Sequence, residues 1–310
     1  MKYQAGVSLV QLLISTMLGL LLSTALLNML YATILSNQLK LAIETVQENS
    51  ALAGYFLRRD LNGIGFKSCF EQPLSHLNIL SKGSVAGLLN SSAYPQGIKN
   101  QYKQSDAISF ITALDAPAEL INDMATVHAS VDLAAKTKLK EGQEILITDC
   151  ESADLFKVSS IWNYRLTHDA IDNVDANLSV SYARGSLVYP LTRISYKLAK
   201  GVSGRTGLYR KVNSSRYQEL IPNVQQMRIF YGLRNKLERK VTYQRANAAL
   251  DLSSLVSLRI ELVLMSARAV LRHKMYYQNT VGEKIQASDK RFYKYHQLII
   301  ALRNSLYVQG

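Results

Sequence analysis

Between Lys2 and Lys40 the chain carries no Asp, Glu, Lys or Arg. The apolar run from Val7 to about Leu35 exceeds the ~20 residues a helix needs to cross a hydrocarbon core. Beyond it the pattern changes. Leu39, Ala42, Val46, Ala53, Phe56, Leu57 and Leu61 recur at spacings of three and four, while Lys40, Glu44, Glu48, Arg58 and Arg59 lie largely off that stripe. No Pro precedes Pro73. One helix is therefore predicted from about Ser8 to Leu61, roughly 80 Å long at ~1.5 Å per residue. Its inner half is apolar all round and must bury itself in lipid or among other helices. Its outer half can pack one face on a globular domain. Asn62-Gly63-Ile64-Gly65 supplies the stop, Gly being suited to a left-handed C-terminal cap.

Residues 67–105, rich in Ser, Asn, Gly and Gln, read as an irregular connection. Strands are predicted at Asp106–Ala113, Glu144–Asp149, Leu155–Ile161, Leu187–Leu198, Gly207–Val212, Val224–Leu233, Leu255–Ser266 and Phe292–Leu302. In Val256-Ser-Leu258-Arg-Ile260-Glu-Leu262 the alternation predicts a half-buried antiparallel strand, with Arg259 and Glu261 on its wet face. Residues 168–177 read as a polar loop. The fold class is α+β: a long N-terminal transmembrane and amphipathic helix packed on an antiparallel β-sheet domain. The chain divides into a leader (1–6), an apolar helix half (7–36), an amphipathic helix half (37–64) and a β-rich globular domain (65–310).

Charge sharpens this division. Residues 1–155 hold 11 Lys and Arg against 14 Asp and Glu, whereas residues 156–310 hold 25 against 9. Lys2 on the short side of the apolar run favours a cytoplasmic leader and an exported body. Two other readings of the N-terminus stay open: signal-peptidase cleavage at Ser23-Thr24-Ala25, and an anchor that is never cut. Against the first, the apolar run continues through Leu26, Leu27, Met29 and Leu30. Cys69 and Cys150 would pair in an oxidising compartment; the alternative is two unrelated buried thiols.

Catalytic and metal motifs find no support. Gly201-Val-Ser203-Gly-Arg-Thr-Gly207 fits no phosphate-binding loop and reads as a β-hairpin turn. The five histidines never sit at i, i+4 or close to a Cys, so no zinc spacing arises. Asp169, Asp172 and Asp175 lack the alternation of a calcium loop and read as a solvated acidic loop. No cofactor is expected. The basic half offers Arg210, Lys211, Arg239, Lys240 and Arg272 as polyanion contacts, interleaved with Tyr; the plainer reading is wet strand faces or partners for acidic neighbours.

Met1-Lys-Tyr-Gln-Ala-Gly6 followed by Val7-Ser-Leu-Val-Gln11 resembles the prepilin leader of type IV pilins and pseudopilins. Gln11 stands where those proteins usually carry Glu. Further segments are similar to the PilW family of minor pilins: Gln47-Glu48-Asn49, Arg59-Asp60-Leu61, Thr148-Asp149-Cys150 through Asp154-Leu155-Phe156, Gly207-Leu-Tyr209-Arg210 with Glu219-Leu220, Val224 through Gly232, and Ile300-Ala-Leu302-Arg303-Asn304.

The resemblance implies a non-catalytic subunit cut after Gly6 by the prepilin peptidase and methylated at Val7. It implies a single-pass inner-membrane protein with a periplasmic body that later moves to the pilus tip and cell surface. Its partners would be other minor pilins, the major pilin, the inner-membrane assembly platform and a large tip adhesin. A minor pseudopilin of type II secretion or of DNA uptake is the alternative. Gln11 accepts a hydrogen bond but cannot neutralise a buried N-terminal amine, which marks it as an assembly residue; the alternative is drift in a subunit used in few copies.

Overall fold

The computed structural model describes residues 9–64, 69, 76–89, 96–99, 105–113, 116–134, 139–201, 204–235, 240–245 and 254–302. Gly6 of the leader, Val7 at the start of the apolar half, Gly65 of the stop signal, and Arg239 lie outside the described residues. The chain opens with α1 (Leu9–Leu61), followed by β1 (Asn78–Ile79), α2 (Ser84–Leu89), β2 (Gln96–Lys99), β3 (Asp106–Ala113), β4 (Ala118–Glu119) and β5 (Val131–Asp132). Next come β6 (Glu144–Thr148), β7 (Ala153–Lys157), β8 (Ser160–Trp162), β9 (Arg165–Thr167), β10 (Leu187–Lys200), β11 (Thr206–Val212) and β12 (Gln218–Ile221). The last strands are β13 (Val224–Arg234), β14 (Val241–Arg245), β15 (Leu255–Ala269), β16 (Tyr276–Gln278), β17 (Lys284–Gln286) and β18 (Arg291–Ala301). A long N-terminal apolar helix on a large, mostly antiparallel β-domain is the α+β arrangement the sequence predicts.

Two sheets carry the body. A nine-stranded sheet runs β1-β7-β6-β10-β11-β12, with β3 and β4 also on β10 and β2 on β3. A four-stranded sheet runs β14-β13-β15-β18. All of their pairings are antiparallel except β1 with β7. The main core lies between α1 and these sheets. It joins Val46, Ala53, Leu57 and Leu61 of the helix to Phe110, Ile194, Tyr196, Leu258, Ile260, Leu262 and Leu298. The apolar stripe read from the outer helix is therefore the face that is buried, and Arg58, Arg59, Lys40, Glu44 and Glu48 are exposed.

Four expectations need correction. The predicted strand Leu155–Ile161 is divided between β7 and β8, which belong to different sheets because the chain turns away after Lys157. Residues 67–105 are not wholly irregular: they contain β1, α2 and β2. The buried Glu144 carboxylate holds the start of α2, accepting hydrogen bonds from Val85 N (2.8 Å), Ala86 N (3.0 Å) and the Ser81 hydroxyl (2.8 Å). Glu261 is not on a wet face; it is buried, and Arg259 is half-buried. Arg259 lies 4.3 Å from the Phe230 ring centroid and 4.7 Å from that of Tyr243, and it pairs with Glu261 at 3.2 Å. The strand is thus covered on both sides: Leu258, Ile260 and Leu262 meet the helix-side core, while Val263 and Met265 pack with Tyr277 and Ala287 of the β16–β17 region. Gly63 does not serve as a left-handed cap either, because its φ is not positive. It permits close approach: a Cβ there would fall 1.8 Å from the Thr112 hydroxyl oxygen.

The Gly201–Gly207 stretch joins β10 to β11, closed by Gly201 N to Arg205 O (2.6 Å) and Gly204 N to Gly201 O (2.9 Å), as a hairpin requires. The acidic loop spends its carboxylates separately. Asp172 pairs with Lys157 at 2.7 Å, and Asp175 caps Asn177 N at 3.1 Å.

Helix docking has a titratable element. His296 of β18 is half-buried against α1, its Nε2 3.7 Å from the Cβ position of Gly54. Burial, then the cations Lys294 and Arg58, holds its imidazole below the ordinary value of 6.5. Well above pH 6.5 the ring is neutral in both folded and unfolded states. Below that, the unfolded chain takes up the proton first, so stability falls as pH drops toward the folded pKa. Urea titrations should therefore show a midpoint that declines on going from pH 7.5 to 5, and His296→Gln should flatten that decline.

Candidate assembly site

The most apolar part of α1 makes no use of the body. Leu9, Leu12, Leu13, Met17, Leu20, Leu22, Leu26 and Leu30 are all exposed, each by more than half of its surface. None of the most apolar window of the helix is buried, and the helix is long and apolar enough to cross a membrane by length and composition. A bare apolar stem of this size needs lipid or neighbouring helices. Its hydroxyls already serve its own backbone: Ser15 Oγ donates to Gln11 O (2.7 Å), Thr16 to Leu13 O (2.9 Å), Thr24 to Leu21 O (2.9 Å) and Thr33 to Met29 O (2.8 Å). Gln11 lies on this exposed part.

What fixes the stem to the body is a buried carboxylate. Asp60, in the last turn of α1, is fully buried. Its Oδ2 accepts from the Tyr196 hydroxyl of β10 (2.6 Å) and from Arg210 Nε of β11 (2.6 Å), and its Oδ1 accepts from Arg59 Nε (3.0 Å). Burial, then the neighbouring Asp60 charge, pushes the Tyr196 phenol up, so it remains a donor at any physiological pH. A negative charge at a helix C-terminus opposes the macrodipole. The Arg210 guanidinium offsets this and ties the helix to the sheet.

Arg210, read from the sequence as a polyanion contact, is turned inward to this pair. Its side chain is 19% exposed and is committed to Asp60. The other described members of that set lie apart. Lys211 sits on β11 near Tyr217 (5.7 Å to the ring centroid), Lys240 is exposed just before β14, and Arg272 is exposed between β15 and β16. Much of the basic half is internal linkage. Arg245 of β14 pairs with Asp106 of β3, which also accepts from Ile229 N of β13 at 3.0 Å, joining the two sheets. Arg205 donates to Ala267 O.

A second tie follows the helix. Cys69 and Cys150 form a disulfide, with Cα atoms 4.8 Å apart, linking the chain just past α1 to the β6–β7 turn. Cys150 takes a left-handed φ of 79° there. Asp149 Oδ1 accepts from Glu151 N (3.0 Å) and Ser152 N (2.7 Å), and Thr148 Oγ1 accepts from Cys150 N (3.0 Å), so the turn is held by its own side chains. Asp154, a few residues on, is buried; it accepts from the hydroxyls of Tyr182 and Ser179 (2.6 Å each) and from Asn78 Nδ2. Glu219 covers the β10–β11 hairpin: a Cβ on Gly207 would lie 2.4 Å from its carboxylate, and one on Gly201 would lie 2.7 Å from it. Among the described residues, no three His, Cys, Asp or Glu side chains are grouped to hold a metal.

The segments that resemble PilW are thus the ones that fasten the helix exit, the disulfide turn and the β11–β12 hairpin. Residues 195–304, from the middle of β10 past the end of β18, match the family model PilW, described as Type IV Pilus-assembly protein W. This match supports membership of the PilW family. Neither the comparison with curated proteins nor that with solved structures gave a match. The family so described points to a role in type IV pilus assembly. The matched region supplies Tyr196 and Arg210, two of the three side chains that grip Asp60.

Proposed function

We propose that this chain is a minor pilin of the PilW type that joins other minor pilins in a tip complex and primes assembly of the type IV pilus. The observation that carries the reading is a bare apolar stem, none of whose most apolar window is buried, locked at its far end to a disulfide-tied body. In the bilayer, lipid covers the stem. In a filament, the stems of neighbouring subunits take the place of lipid, and small and hydroxyl side chains permit close packing. The work is assembly, not catalysis. Gly6 and Val7 are the processing positions, with cleavage and methylation by the prepilin peptidase. The body is periplasmic until the subunit leaves at the pilus tip.

Gln11 carries the finer part of the reading. A charge at the centre of a membrane helix costs about 2.5–3.5 kcal/mol on insertion scales, so a buried N-terminal amine needs an acid nearby. At a tip position a partner's Glu supplies it. Gln11→Glu is then expected to alter co-purification of the other minor pilins while the protein still inserts and folds. Loss of surface pili on deletion, restored by the full chain and not by a body lacking residues 1–36, tests the function itself. Normal piliation without the gene would overturn it.

A further inference from the structure

Where the stem meets the body, a groove of about 670 Å³ opens between α1 and the loop leaving β15. Tyr31, Leu35 and Leu39 form its helix side, and Val270, Arg272 and Lys290 line its body side. Val270 N and Leu271 N both donate to Lys290 O (3.0 and 2.9 Å), which pins this loop to the start of β18. We propose that the groove holds the headgroup of an anionic phospholipid, its phosphate on Arg272 and Lys290 and its upper acyl chain along Tyr31 and Leu35.

Charge favours that occupant. Among the described residues, neither the Arg272 nor the Lys290 side chain has a hydrogen-bond or ion-pair partner. Exposed His273 and Lys274 follow Arg272, and exposed Lys40 follows the last groove residue of the helix. The neighbouring acid Asp289 is already engaged, 3.5 Å from Arg291 and accepting from the Tyr293 hydroxyl at 3.1 Å. The site is thus cationic and rimmed by the polar Ser36 and Gln38.

Depth favours it too. At ~1.5 Å per residue, Tyr31 and Leu39 lie about 33 and 45 Å along the helix from Leu9. A hydrocarbon core is about 30 Å thick, and about 40–45 Å with its headgroup layers. With Leu9 at the near membrane surface, the groove runs from the edge of the far hydrocarbon layer into its headgroups, a level at which Tyr is favoured. The inference rests on the reading of the stem as a bilayer span. Its consequence is a lipid that must be given up when the subunit leaves the membrane.

The test uses the full chain in nanodiscs of phosphatidylcholine with and without phosphatidylglycerol, each containing a photo-crosslinking analogue of one lipid. The phosphatidylglycerol probe is expected to label peptides spanning Tyr31–Leu39 and Ala269–Arg272. Labelling should fall about tenfold or more in Arg272→Glu/Lys290→Glu, because each cation near an anionic surface contributes appreciably. Circular dichroism and intact-disulfide mass should remain unchanged in that variant. Equal labelling by phosphatidylcholine, or labelling indifferent to the double reversal, would overturn the headgroup site while leaving the span intact. No labelling by the phosphatidylglycerol probe in a chain that has entered the bilayer alone would equally overturn the headgroup site. A chain that enters neither bilayer would overturn the span and this inference with it.

Discussion

Arg210→Met is expected to destabilise the protein by about 3–5 kcal/mol, the usual cost of removing one partner from a buried pair. The variant leaves Asp60 fully buried, with Arg59, whose side chain is 43% exposed, as its remaining cation. Tyr196→Phe removes a neutral donor from the same carboxylate and should cost less, about 1–3 kcal/mol. Urea denaturation of both single variants and the double variant checks the account. Because the two donors share one oxygen, the double-mutant cycle should show a coupling energy of about 0.5–3 kcal/mol. Simple additivity together with a loss below 1 kcal/mol for Arg210→Met would mean that the helix is held by apolar packing alone.

The second large effect belongs to the disulfide. Its cysteines are 81 residues apart in the chain. Closing a loop of that length stabilises the fold by about 4–5 kcal/mol in the chain-entropy model. Cys69→Ser/Cys150→Ser should lose most of this, read as a lower urea midpoint relative to the oxidised protein. The left-handed φ of Cys150 allows a separation of causes. A non-glycine residue pays about 1–2 kcal/mol for that conformation, so Cys69→Ser/Cys150→Gly should recover roughly that much over the double Ser variant. No difference between the two would mean the turn relaxes once the bridge is gone. The bridge and Asp60 fasten the helix exit to the body from either side of residue 64.

Much of this was legible from pattern. The stem, the outer stripe through Val46, Ala53, Leu57 and Leu61, seven of the eight predicted strands and the Gly201–Gly207 hairpin all depend on neighbours within a few residues. Asp60 was visible only as part of a resembling segment. An acid on an amphipathic helix reads as solvent-facing, and its partners lie 136 and 150 residues away. Glu144 was missed for the same reason: the α2 amides it caps are 58 and 59 residues distant. Glu261 was misread because alternation reports two faces but not what covers them. The strands β16 and β17 near that outer face are three residues each, too short for a periodic signal. A net charge says nothing of pairing, so the internal ties within the basic half were not legible. In the fold, Arg210, Arg245 and Arg205 are committed to Asp60, Asp106 and a main-chain carbonyl.

The central claim is that the apolar helix is a processed filament stem and not a fixed anchor. Mass spectrometry of the N-terminal peptide of this protein, recovered from sheared pili, tests it most directly. The account predicts a chain beginning at Val7 with a methylated amine. A chain that begins at Met1 or at Leu26, found only in the membrane or periplasmic fraction, would contradict it.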